Sequence, residues 1–240
     1  MSLSKSQLKL ITSLQQKKYR IKHNLFVAEG TKVVKEILDS NFELHQLFCV
    51  NDFEYKNSYN PILISNKELK KISTLKTPNN VLAIFKIPKS EELIEKGLIL
   101  VLDEINDPGN LGTIIRLSDW FGVDQLVCSL NTVDSFNAKV VQSSMGSLTR
   151  VSIVYTELEV YLKNTKLPKF ATLMNAKSVY ETKLPNDAVI VMGNEANGIS
   201  GQLLKLLDNS ISIPRFGKLQ KTESLNVANA TAILLSEFRR

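Results

Sequence analysis

The hydrophobic positions of this chain change rhythm about a third of the way along. Leu3, Leu10, Leu14 and Ile21 recur among lysines at helical intervals, which predicts a helix over 3–22, and Thr31–Leu38 reads as a second one. Strands are predicted at Leu44–Val50, Pro61–Ile64 and Val81–Phe85, with a short helix at Lys67–Ser73. The stretch Lys86–Gly97 interrupts this pattern with a proline, a glycine and a run of charges, so residues 89–97 read as a linker. Beyond it the strands become uninterrupted apolar runs at Leu98–Leu102, Gln125–Cys128, Arg150–Val154, Lys169–Leu173 and Val189–Met192. Strands without alternation are buried on both faces, and the helical stretches between them supply the cover. The chain is therefore expected to be α/β: a small α/β domain over 1–88, then a mostly parallel sheet with helices on both faces over 98–240. A helix at Ser200–Leu207 and a closing one at Val227–Arg240 complete the expected elements.

Charge separates the two halves more sharply than hydropathy does. Residues 1–90 hold 15 Lys and Arg against 7 Asp and Glu, whereas residues 91–240 hold 15 against 17. The first 22 residues include Lys5, Lys9, Lys17, Lys18, Arg20 and Lys22 and no acidic side chain. One lysine-rich helix face can be merely solvated. A basic N-terminal third beside a near-neutral remainder is built to attract a polyanion, and nucleic acid is the expected one. No apolar run approaches the ~18 residues that cross a membrane. The first ten residues break their leucines with lysines, unlike a signal peptide, so a cytoplasmic protein without membrane contact is expected. Cys49 and Cys128 lie in apolar surroundings with neither a CxxC spacing nor a nearby histidine, which predicts buried free thiols and no metal site.

Three segments carry candidate chemistry, each an apolar run opening into a turn rich in Gly, Asn or Pro. In the first, Asp107-Pro-Gly-Asn110-Leu-Gly112 joins a strand to a helix, where unpaired backbone N–H groups receive polar or anionic ligands. Arg116 follows one turn on, among Ile114, Ile115 and Leu117. A guanidinium on so apolar a helix is expected to be buried and paired, with Asp119 at i+3 or with a phosphate or ribose at the loop. In the second, Val189–Met192 ends at Gly193, where a cofactor could approach the backbone, and Glu195 could complement the positive end of the helix at 200–207. In the third, Ile211-Ser-Ile213-Pro leads to Ser224-Leu225-Asn226-Val227, with Ser224, Asn226 and Asn229 as possible caps of the final helix. Neither GxGxxG nor a Walker motif is present, and His23 and His45 lie outside all three segments.

Together these segments resemble the three motifs of the SpoU/TrmH family of RNA ribose 2′-O-methyltransferases. The first family pattern, N-x-G-N-x-G-x-x-x-R, is met from Asp107 to Arg116 with Asp in place of the first Asn. Gly193, Glu195 and Gly198 match the second; Ile213-Pro214 and Ser224–Val227 match the third, although Lys218–Glu223 makes that loop longer and more basic than the family pattern. Leu14–Arg20, Leu25–Gly30 and Thr77–Phe85 resemble the family's small RNA-binding domain, built on a ribosomal-protein-like α/β fold. The resemblance implies a C-terminal domain of SPOUT type with a trefoil knot. It implies S-adenosyl-L-methionine held by main-chain groups at Gly193, Ile213 and Leu225, and a catalytic Arg116 supported by Asn110, Glu195, Ser224 and Asn226. RNA is the implied substrate, ribosomal before transfer RNA, with Lys17, Lys18, Arg20 and Lys22 as its contacts, and the implied assembly is a homodimer. A non-catalytic RNA-binding or ribosome-assembly factor on the same fold is the alternative.

Overall fold

The computed structural model describes residues 3–51, 59–221 and 224–240. In chain order its first elements are α1 (Lys5–Ser13), α2 (Lys17–His23), β1 (Leu25–Glu29), α3 (Thr31–Leu38), β2 (Leu44–Cys49), β3 (Ile62–Leu63), α4 (Asn66–Ile72) and β4 (Val81–Lys86). There follow β5 (Leu98–Leu102), α5 (Pro108–Phe121), β6 (Gln125–Ser129), α6 (Ala138–Ser144), β7 (Ile153–Thr156) and α7 (Leu158–Asn164). The last are β8 (Lys169–Ser178), β9 (Ala188–Met192), α8 (Gly201–Leu204), β10 (Asn209–Ser212) and α9 (Val227–Phe238).

The chain divides into two packed units. One comprises Met1–Lys89 with Asp134–Arg150, the other Ser90–Val133 with Val151–Arg240. Segment 134–150, which the hydrophobic pattern placed in the second domain, therefore packs in the first. Phe136 explains why: its ring lies 4.9 Å from that of Phe26 on β1, and α6 packs along the same strand.

The first unit is a four-stranded sheet ordered β1-β4-β2-β3, antiparallel except between β2 and β3. The expected single helix over 3–22 is two helices here. Helix α1 starts with a reciprocal capping box between Ser4 and Gln7, and the backbone turns extended at Gln16 before α2 begins. The break turns Ile21 outward, 68% exposed, although helical spacing had counted it in the core.

Arg20 is the sharper correction. It is 3% exposed; its Nε and Nη2 donate to Asp134 at 2.8 and 2.6 Å, and its Nη1 donates to the carbonyls of Leu14 and Gln15 at 2.8 and 2.9 Å. A guanidinium committed to four internal bonds offers nothing to phosphate, so Arg20 holds the fold and is not an RNA contact. Lys17, Lys18 and Lys22 on the same helix are exposed. We expect Arg20→Ala to lower unfolding free energy by about 3–5 kcal/mol, since it strands a largely buried carboxylate. Urea melts measure the loss, and RNA affinity of the remaining folded protein should barely change.

The second unit is a six-stranded, all-parallel sheet ordered β10-β8-β9-β5-β6-β7. Every residue of β5 and β9 is buried. Ile99, Val101, Val189 and Val191 pack on one face with Leu158, Leu162 and Leu203 of α7 and α8. On the other face, Phe170 meets Phe238 of α9 edge-on at 5.5 Å. Two boundaries differ from expectation. Strand β8 runs on to Ser178 because it pairs with edge strand β10, whose register shifts at Ser210/Ile211. Strand β7 begins only at Ile153, because Gly146 (φ 94°) introduces a short 3₁₀ turn over Ser147–Thr149. Cys49 and Cys128 are buried and form no disulfide, as their surroundings predicted. Among the described residues, no helix is long and apolar enough to cross a membrane.

Candidate active site

The loops that leave β5, β9 and β10 all belong to the second unit, and polar side chains tie the first two together. Buried Asp103, just past β5, accepts the Ser200 N–H at 2.8 Å. Glu104 takes a left-handed backbone (φ 56°), which lets its carbonyl accept the Asn194 side-chain amide at 2.7 Å while its carboxylate accepts from Asn131 at 2.8 Å. Asn194 in turn caps the 194–198 turn, accepting from Ala196 and Asn197 N–H at 2.9 and 3.0 Å. The sequence reading missed Asp103, Glu104 and Asn194 as organisers. The available signal was an acidic pair closing an otherwise apolar strand.

Helix α5 begins where Asp107 caps the Asn110 N–H at 2.8 Å, with Pro108 in the first turn. Glu195 reaches this helix start rather than that of α8, against expectation. Its Oε1 accepts the Asn110 side-chain amide at 2.9 Å, and its two oxygens lie 3.5 Å from the N–H groups of Asp107 and Asn106. The Asn226 amide donates to Asn110 Oδ1 at 2.9 Å, and Asn226 Oδ1 caps α9 by accepting from Ala228 and Asn229. Each orientation forces the next. The Glu195 oxygen accepts from the Asn110 NH₂; the Asn110 oxygen then faces the Asn226 NH₂, and the Asn226 oxygen is left for the helix. Glu195, Asn110 and Asn226, drawn from three segments, form one directed hydrogen-bond chain.

Two adjoining clefts open at this chain. The larger, about 1280 Å³, has a mainly apolar wall that includes Met192, Ile211, Ile213, Leu225 and Leu234, with Gly193 and Ser224 also lining it. The smaller, about 670 Å³, is polar and holds Asn110, Glu195, Ser224 and Asn226. All the cofactor candidates (Gly193, Ile213, Leu225) therefore line the first, and four of the five catalytic candidates line the second. Arg116 lines neither. It is exposed, because the buried face of α5 is Leu111, Ile114, Ile115 and Ser118, and the next position after Ile115 rotates away. The expectation of a buried guanidinium is thus overturned.

Gly193 also has a reason other than the expected one. A Cβ there would lie 2.2 Å from Gly198 C and Ile199 N, so the absent side chain makes room for the protein's own returning loop. The larger cleft fits S-adenosylmethionine in its donor set. Apolar walls would enclose the adenine, main chain at Gly193, Ile213 and Leu225 would hydrogen-bond its edge, and polar Ser224, Asn194 and Glu195 stand at the end shared with the second cleft.

Comparison with known proteins is consistent along the whole chain. Residues 97–236 match the SpoU rRNA Methylase family, and residues 5–83 match the MRM3-like substrate binding domain. The chain is 30% identical over 234 residues to the 23S rRNA (guanosine(2553)-2′-O)-methyltransferase RlmP of Bacillus subtilis, covering 94% of this chain and 93% of that protein. A TrmH-family structure from Porphyromonas gingivalis superposes with TM-score 0.88 at 35% identity, covering 99% of this chain and 98% of that one. The AdoMet-bound rRNA methyltransferase from Sinorhizobium meliloti superposes with TM-score 0.85 at 27% identity, covering 100% and 97%.

Proposed function

This chain belongs to the SpoU rRNA methylase family, and from that premise we propose that it methylates a ribose 2′-hydroxyl of ribosomal RNA in the cytoplasm, with S-adenosyl-L-methionine as methyl donor. The observation that carries the reading is the Glu195–Asn110–Asn226 chain at the junction of an apolar and a polar cleft. When bound, the cofactor supplies a methyl group already activated by its sulfonium. The protein's work is therefore alignment and charge stabilisation. Main-chain groups at Gly193, Ile213 and Leu225 fix the donor, and the apolar wall excludes water. Glu195, held by donors at the start of α5, locks Asn110, and Asn110 and Asn226 position the ribose with Ser224 beside them. Arg116, permanently protonated, cannot be the base; it holds phosphate and stabilises charge developing on the 2′-oxygen.

Arg116 lines neither cleft of its own chain, which supports a reading in which a second copy brings it to the site. A homodimer in which α5 of one copy faces the clefts of the other would do so. It is supported by Trp120, one turn beyond Arg116 and 84% exposed, an apolar surface that a partner would cover. We also assign the second unit the trefoil path implied by the family motifs.

Ribosomal RNA is favoured over transfer RNA by the match of residues 5–83 to a substrate binding domain and by the named activity of the Bacillus relative. The first unit would supply affinity, through Lys17, Lys18 and Lys22. The triple alanine variant at these lysines should weaken RNA binding and reduce the slope of log affinity against log salt by about 2–3, while S-adenosylhomocysteine affinity holds. An unchanged slope would return these lysines to a solvated surface. The function itself is tested with ribosomal RNA from a strain lacking the gene. Incubation with protein and donor should create one site resistant to alkaline cleavage, because a methylated 2′-oxygen can no longer attack its phosphate. A methyl group found on a base, or only on transfer RNA, would overturn the assignment.

A further inference from the structure

The segment Arg215–Lys221, between β10 and Ser224, forms part of the wall of the larger cleft but takes no part in the Glu195–Asn110–Asn226 chain. It is closed on itself. Arg215 Nη1 donates to the Gln220 carbonyl at 3.3 Å, the Gln220 amide donates back to the Arg215 carbonyl at 3.2 Å, and Gln220 takes a left-handed backbone (φ 43°) to make the turn. On this closed turn Phe216 is 82% exposed. Arg215, Lys218 and Lys221 flank it along the chain, all exposed, and among the described residues none of the three has an ion-pair partner.

We propose that Phe216 is a stacking platform for an unpaired base of the RNA substrate, and that Arg215, Lys218 and Lys221 hold the phosphates beside it. The proposal rests on the methyl-transfer reading of the neighbouring clefts and adds a second place where RNA is gripped, close to the reaction. An aromatic ring kept in water by a hydrogen-bonded turn is a surface awaiting a flat partner, and interleaved cations select a single-stranded polyanion. Position argues the same way. The cleft of about 1280 Å³ exceeds the roughly 300–1,000 Å³ that one small ligand fills. The cleft therefore has room for more than the donor, and the turn lines it. Single-stranded loops and bulges splay their bases out, and a base that comes in with the reacting ribose needs somewhere to stack.

The competing use of the same turn is a lid over the cofactor alone, and the test separates the two. Full-length Phe216→Ala and Phe216→Trp are compared with the unaltered protein in three measurements. These are steady-state methylation of ribosomal RNA from a strain lacking the gene, S-adenosylhomocysteine affinity by calorimetry, and anisotropy with a short fluorescein-labelled single-stranded RNA. Stacking predicts that Phe216→Ala raises KM for RNA and the Kd for the oligonucleotide by roughly tenfold, that Phe216→Trp restores both, and that S-adenosylhomocysteine affinity stays within about twofold. Lys218→Ala with Lys221→Ala should flatten the salt dependence of oligonucleotide binding. Loss of S-adenosylhomocysteine affinity equal to the loss for RNA would establish the lid instead. Unchanged RNA binding in Phe216→Ala would overturn the proposal outright. Should the unaltered protein methylate no RNA, the methyl-transfer reading fails, while the anisotropy arm still decides whether Phe216 stacks.

Discussion

Arg116→Ala is expected to lower kcat by about 10²–10³-fold, the typical cost of deleting one preorganised donor to developing oxyanion charge, while leaving the fold and cofactor affinity intact. Exposure makes the structural half of this prediction firm. A side chain on the outer face of α5 contributes little to folding, and its truncation should shift stability by no more than about 0.5 kcal/mol. Arg116→Lys should fail as well, because a point charge does not reproduce the planar fork that grips phosphate and 2′-oxygen together. A mixing experiment then locates the arginine. Arg116→Ala and Glu195→Ala, each inactive alone, are unfolded together, refolded and assayed. If Arg116 serves the neighbouring copy, each mixed dimer rebuilds one complete site, and random pairing recovers about a quarter of full activity. If it serves its own chain, every mixed site lacks one group and nothing is recovered. A monomer by light scattering that retains full activity would dispose of the shared site.

The second large effect is expected at Gly193. One added methyl group meets the backbone of Gly198 and Ile199, which cannot swing aside as a flexible side chain would. Ordinary overpacking costs about 1–3 kcal/mol, and a clash with main chain belongs at or above the top of that range. Gly193→Ala should therefore lower Tm and, in the fraction still folded, lose S-adenosylhomocysteine binding, because the displaced 194–198 turn also carries Glu195. Gly201→Ala is the control: nothing lies within 4 Å of a Cβ there, so neither property should change. Normal cofactor affinity in Gly193→Ala would mean that the loop adapts, and that the close backbone approach has no bearing on the site.

Much of the second unit is legible in the sequence because two-sided burial leaves an unambiguous mark: β5 and β9 are apolar at every position and buried at every position. The identity of the site residues is legible through the spacing of the three motifs. Their contacts are not. Glu195 bonds across 85 residues and Asn226 across 116, and no local pattern records that Glu195 attends α5 instead of α8. Charge is the least legible property. Arg20 and Lys18 sit two residues apart in one basic run, yet one is buried against Asp134, 114 residues later, and the other is exposed. Arg116 errs in the opposite direction, exposed on a helix whose composition suggests burial. The break between α1 and α2 leaves no mark in the pattern because Leu14 and Ile21 keep helical spacing across it.

The interleaving of the two units has a consequence for how this protein comes off the ribosome. When residue 89 has been synthesised, all four strands of the first sheet exist but the unit they belong to is incomplete: Arg20 has no carboxylate, Phe26 lacks the ring of Phe136, and Glu36 awaits Arg150, its partner at 3.0 Å. Those groups arrive only after β5, α5 and β6 have followed. A nascent chain of this kind carries an unfinished, aromatic-lined and strongly cationic surface through the synthesis of about sixty further residues, at ordinary elongation speed a matter of seconds. The same order of events makes residue 89 a poor place to cut the gene: an amino-terminal fragment ending there would be permanently held at that unfinished stage.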